Sequence, residues 1–241
     1  MYPQQQTVYA SRVTDTELSA FMRQVFNYMT GGVALSGLVA YLTANSPALL
    51  SIALSGVTPW VFMAVWLGFG FFAPKIIFGV SPAIGLGIFA AFSALTGFAL
   101  TPLVLAYTGA SVAVAFFTAA FMFGAASLYG YTTGKSLAGW GGILSMAMIG
   151  LLVVMLVNLG LNLFGINTGP LGLIMSFITV GLVTVVVAYE TNMLRETYGA
   201  LRAQGDDVTT SRTAIIGAVG LYTSFVTIFI HLLNILGQRN E

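Results

Sequence analysis

Apolar positions along this chain gather into seven runs, separated by short polar or Pro/Gly-marked breaks. The runs cover Phe26 to Ala44, Leu49 to Phe72, Pro82 to Ala106, Ala110 to Tyr131, Ala138 to Phe164, Thr168 to Tyr189 and Thr213 to Leu236. Breaks fall at Asn45-Ser46-Pro47, around Pro74-Lys75, at Tyr107-Thr108-Gly109, at Gly134-Lys135-Ser136 and from Asn167 to Pro170. The longest polar stretch runs from Arg195 to Arg212. About 20 apolar residues in a helix cross the hydrocarbon core of a bilayer. The pattern therefore predicts an all-α integral membrane protein, a seven-transmembrane-helix bundle over 26–237 preceded by a polar tail over 1–25. Its first partner is the lipid bilayer.

The tail carries Arg12, Asp15, Glu17 and Arg23, with an amphipathic turn expected over Thr14 to Gln24. It is longer and more mixed in charge than a secretory n-region, and the run after it is long enough to span. It reads as a retained tail and not as a cleaved signal.

Composition agrees with the pattern. Hydrophobic residues make up 58% of the 241 and charged ones 6%, against roughly 25% charged in a soluble domain. A net charge of +1 lacks the basic patch that nucleic acid requires. With no cysteine, disulfides, thiolate metal sites and thiol nucleophiles are excluded together.

The few charges orient the bundle. Seven spans place Arg12, Arg23, Lys75, Lys135, Arg195, Arg202 and Arg212 on one side and only Arg239 on the other, seven of the eight basic residues against one. Cytoplasmic loops carry the excess of Lys and Arg, so the N-terminus is expected to be cytoplasmic and the C-terminus on the far side. The bacterial inner membrane is the expected location.

Ionisable groups inside spans cost about 2.5–3.5 kcal/mol at the membrane centre on insertion scales and so mark function. Asp15, Glu17, Glu196, Asp206, Asp207 and Glu241 fall in tails or the sixth connection; Glu190 alone closes a span. Two readings stand for it: an ion ligand or pH gate, or a headgroup-level carboxylate paired with Arg195. In the last span Gly217, Gly220, Ser224, Thr227, His231 and Asn234 recur every three or four residues and share one face. That stripe fits close helix packing as well as a watery pathway. His231, the single histidine, reads as a polar anchor or a relay. Asn158 and Asn162 form an i, i+4 pair in the fifth span.

No catalytic motif is present: no histidine pair for zinc, no nucleophile elbow, no Walker loop. Ser224 and His231 lie about 10 Å apart along a helix axis, too far for a nucleophile and its base. An enzyme is not expected, nor a cofactor.

Three segments resemble the Bax inhibitor-1 family. Ala115-Phe116-Phe117-Thr118-Ala119-Ala120, with Gly124 and then Tyr131-Thr132-Thr133-Gly134-Lys135-Ser136-Leu137, is similar to its fourth span and following loop. Ala188-Tyr189-Glu190-Thr191-Asn192-Met193-Leu194-Arg195 resembles its Tyr-Asp-Thr-Gln signature. Leu221-Tyr222-Thr223-Ser224 to Asn234-Ile235-Leu236-Gly237 resembles its terminal helix, which usually opens Leu-Tyr-Leu-Asp.

The resemblance implies a bundle whose last helix sits centrally. It also implies a passive, pH-sensitive calcium leak latched by two aspartates, with Ca2+ as permeant ion and not as cofactor. The first aspartate falls on Glu190 and the second on Ser224, which cannot ionise. The implied pathway runs past Glu190, Ser224, Thr227 and His231, with Arg195 or Lys75 as basic partner of the gate. Some bacterial relatives are associated with a membrane protease, which implies the alternative of a non-transporting interaction protein using its tail as a handle. A proton-coupled carrier built on Glu190 and His231 is a third reading.

Overall fold

The computed structural model describes residues 15–164 and 169–240. Arg12, the start of the predicted sixth span at Thr168 and the Asn167 break lie outside the described residues, as do the side chains of Asn162 and Arg202.

In hydrocarbon every backbone N–H and C=O must be satisfied within the segment, which leaves helices as the form for such apolar runs. Among the described residues eight α-helices follow: α1 Asp15–Ala44, α2 Pro47–Ala53, α3 Thr58–Phe78, α4 Pro82–Leu105, α5 Gly109–Thr132, α6 Gly141–Leu163, α7 Gly169–Gln204 and α8 Asp207–Leu236. Seven of them, all but the short α2, are long and apolar enough to cross a membrane. Local chemistry sets several starts. Ser46 and Ser81 accept from the amides of Leu49 and Ile84 at 3.5 Å, each followed by a proline in the first turn, where its missing N–H is not needed. Thr108 caps α5 through Ser111 N at 3.3 Å. Between α7 and α8 the turn needs only Gly205, at φ 70°, and Asp206. The Asp206 carboxylate accepts from Val208 N and Thr209 N, both at 3.0 Å, and from the Thr209 hydroxyl. These bonds, the Thr209 hydroxyl foremost, hold Asp206 below the ordinary aspartate value.

Burial ranks the helices. In the most apolar stretch of α8, 67% of residues are buried, against at most 33% in any other span. α8 is the axis, packed by α7, α1, α5, α4 and α3, while α6 leans on α7 at the outside. The outward faces are apolar, as a lipid-facing surface should be: Phe71, Phe117 and Phe121 are 73%, 70% and 80% exposed. Two glycines let backbones touch. An added Cβ at Gly97 would lie 2.2 Å from Ser36 O, and one at Gly130 would lie 2.2 Å from Ala188 O.

Three boundaries differ from the sequence reading. Residues 15–25, assigned to the tail, are the first turns of α1 and not a free leader: Phe21 and Met22 are buried, Val25 is wholly so, and Phe21 stacks on Tyr198 at 4.7 Å. The second run breaks earlier than expected, at 54–57, and α3 then continues through Pro74 to Phe78. Proline removes one helical bond but is tolerated in a spanning helix. The polar stretch from Arg195 begins inside α7, which runs on to Gln204 because Thr191, Asn192 and Tyr198 are buried against neighbours.

Candidate functional site

Glu190 lies on α7, where that helix packs along α8. Its Oε2 accepts a hydrogen bond from Ser224 Oγ at 3.1 Å. Room for the carboxyl comes from Gly220, one turn before Ser224: a Cβ there would stand 3.1 Å from Glu190 Oε1. Glu190 is half-buried as a residue and Ser224 is 6% exposed, so the contact on the central helix is largely closed off. The structure thus brings together the two positions that the motif resemblance paired.

The basic partners proposed for Glu190 are placed elsewhere. Arg195 is five residues on, about 140° around the helix at 3.6 residues per turn, and so faces another neighbour. Its Nη1 donates to Tyr131 O at 3.1 Å and Thr133 O at 2.8 Å, the carbonyls that end α5. Lys75 is exposed in the last turn of α3, which packs on α4 and α8. Glu190 is answered by a hydroxyl.

Thr227 does not join the pair: its Oγ1 donates to Thr223 O in its own helix at 2.8 Å. His231 belongs to a separate cluster two turns along. Ser176 Oγ, 1% exposed as a residue, lies 3.0 Å from His231 Nδ1 and accepts from Asn234 Nδ2 at 2.9 Å. Ser176 also lies 3.0 Å from Gly172 O, to which its hydroxyl donates. His231 then donates from Nδ1, and the cluster fastens α8 to α7.

Two polar centres went unread in the sequence. Asn192, 1% exposed, uses its whole amide: Oδ1 accepts from Leu137 N at 2.8 Å, and Nδ2 donates to Gly130 O at 3.2 Å and Lys135 O at 3.3 Å. With Arg195 one turn later it pins the end of α5 and the loop after it to α7, beside Glu190. The signal was an amide two residues past the carboxyl in an otherwise apolar helix. The second centre joins three helices: Tyr222 Oη, fully buried, meets Ser36 Oγ at 2.6 Å, and Ser36 Oγ lies 2.8 Å from Ser93 O. Phe89 and Phe92 set their edges against the Tyr222 ring at 5.4 and 6.0 Å. Mid-span hydroxyls at 36 and 93 were its trace in the sequence.

Among the described residues no group of three or more His, Asp or Glu side chains could hold a metal ion. Glu190 with Ser224 offers one carboxylate and one hydroxyl, whereas a calcium site takes six to eight oxygens. Such a pair does not cage a calcium ion.

The arrangement defines a polytopic helical membrane protein with a carboxyl–hydroxyl contact on its central helix. A family profile described as "Inhibitor of apoptosis-promoting Bax1" matches residues 18–241. The Escherichia coli protein named inner membrane protein YbhL is 34% identical over 92% of this chain and 93% of its own. A Caulobacter vibrioides protein is 33% identical over 96% and 94%, and one from Deinococcus radiodurans 34% over 98% of each. The chain belongs to the Bax inhibitor-1 family.

Proposed function

We propose that this protein is a passive, pH-sensitive cation leak, permeable to calcium, gated where Glu190 of α7 meets Ser224 of α8. The observation that carries the reading is the Glu190–Ser224 contact itself, a carboxyl on the central helix whose hydrogen-bond partner is a hydroxyl at 3.1 Å. An ionised carboxylate only accepts; a protonated one also donates. A change of protonation therefore rewrites the contact between the two helices that border the pathway. One carboxylate carries the latch, so the response follows a single titration and not the coupled steps of a carboxylate pair. Family membership supports the reading, and the weak oxygen set suits passage over storage. Covalent catalysis has no part in this function. The relative named as an inner membrane protein supports a bacterial inner-membrane location, and the basic residues support a cytoplasmic N-terminus.

Calcium entry into proteoliposomes from about pH 6 to 8 tests it, beside Glu190→Gln. The expected result is a flux that varies with pH in the parent and has lost that variation in the variant. Silence across the range from protein shown to be folded rejects the leak. It would leave a role as a membrane subunit that binds and modulates another complex, such as a protease.

A further inference from the structure

α1 and α5 both pack on α8 but form no substantial seam with each other. In the gap is a cavity of about 340 Å³, walled by Ser36, Gly37 and Tyr41 of α1, Leu105 of α4, Phe116 of α5 and Phe229 of α8, among others. Along α1 it runs from Val33 to Ala44. Eleven steps of about 1.5 Å make about 16 Å, close to half of a ~30 Å hydrocarbon core. The cavity therefore has the reach of one acyl chain in one leaflet. A smaller hollow of about 210 Å³ continues from it past Val33, Phe116 and Phe225.

A basic residue stands next to the end of the groove. At the Ala44 end, the segment after α8 folds over the α4–α5 turn: Thr108 N donates to Gln238 O and Asn240 N to Ala106 O, both at 3.0 Å. Asn240 Nδ2 donates to the carbonyl of Leu105, a residue of the cavity wall, at 2.9 Å. This strap holds Arg239, which is exposed and stands over the Tyr107 ring at 5.9 Å. An exposed guanidinium one residue from the strap's bond to the groove wall, beside an acyl-length apolar groove, matches a phosphate with a hydrocarbon tail.

We propose that the groove between α1 and α5 binds an anionic phospholipid, its phosphate on Arg239 and one acyl chain against α8. The chain lies along Phe225, Val226 and Phe229, in the turns of α8 that follow Ser224. The site does not depend on whether the bundle conducts ions.

The test is photo-crosslinking in proteoliposomes of the full chain, with phosphatidylglycerol or phosphatidylcholine carrying a diazirine on the acyl chain. Adducts are mapped by mass spectrometry. Gly37 lines the groove and an added Cβ there meets nothing within 4 Å, so Gly37→Leu is the first filling variant. Ala40→Leu, one turn along the same wall, is the second filling variant, and melting curves confirm that each is folded.

The expected result is adducts concentrated on Val33 to Ala44 and Leu100 to Phe116, stronger for phosphatidylglycerol. They are lost in the filling variants, and the headgroup preference is lost in Arg239→Gln. Adducts spread evenly over outward residues such as Phe71, Phe117 and Phe121 would overturn the proposal, as would groove labelling unchanged by filling or equal for the two headgroups.

Discussion

Substituting Gly130 by alanine measures how much the fold depends on the contact of α5 with α7. A Cβ there would lie 2.2 Å from Ala188 O, 2.9 Å from its carbonyl carbon and 3.0 Å from its Cα. All three are backbone atoms, so no rotamer change relieves the clash. Weak C–H···O contacts settle at about 3.3–3.6 Å, which requires the helices to part by about 1 Å. Overpacking of this kind costs about 1–3 kcal/mol, while alanine in a helix interior gains about 0.5–1 kcal/mol over glycine. The balance is a net loss of up to roughly 2.5 kcal/mol. Parting the helices also lengthens the bond from Asn192 to Gly130 O, already 3.2 Å. Gly124→Ala on the same helix is the reference, because nothing lies within 4 Å of its Cβ. It should melt at or slightly above the parent. Thermal unfolding of both variants in one detergent, followed by tryptophan fluorescence, gives the comparison. If Gly130→Ala melts as high as Gly124→Ala, the close approach of these helices is not a constraint and the reasoning fails.

Asn192→Ala removes two bonds to the loop and one to Gly130 O of α5, and the buried Gly130 carbonyl loses a partner worth about 1–3 kcal/mol. The expected effect is faster amide exchange and proteolysis within 133–137, and unchanged exchange there would refute the clamp. Glu190→Gln is expected to fold normally, since the amide can still accept from Ser224, and to abolish the pH dependence of calcium flux. Asp206 has a lowered folded value, so the stability that its cap gives α8 is fully present above the ordinary 3.8 and is lost as pH falls through the lower folded value. Carboxyl NMR of labelled protein should place its midpoint below 3.8, and a midpoint at or above that value would remove the cap from the account.

Much of this fold was open to reading because the bilayer enforces one rule: an apolar run of sufficient length is a helix, whatever its neighbours do. The seven spans and the burial of the last one follow from that rule and from the stripe on α8. The boundaries did not follow, since tertiary contacts decide them. Phe21 against Tyr198 and buried Asn192 extend α1 and α7 beyond what hydropathy suggests, and Pro74 reads as a stop where the membrane helix simply carries on. The Glu190–Ser224 pair was legible only through motif resemblance. Nothing in one sequence says which faces of α7 and α8 meet. The same blindness assigned Arg195 to Glu190, when its helical phase sends it to the α5 carbonyls. Tyr222 and Ser36 are 186 residues apart in the chain, so the mid-span hydroxyl at 36 is visible in the sequence but its partner is not.

That the axis of the bundle is also the last of its spans governs how the molecule can be made. During synthesis six hydrophobic segments enter the bilayer before the piece they are to surround exists. Until α8 arrives, Ser36 has no tyrosine and Glu190 no serine, so both polar groups sit in hydrocarbon or borrow water. The half-made protein is held together at its rim, through α1 with α4 and α5 with α7, around a vacancy. The described helices become one cooperative body only after the ribosome has made the segment through Leu236.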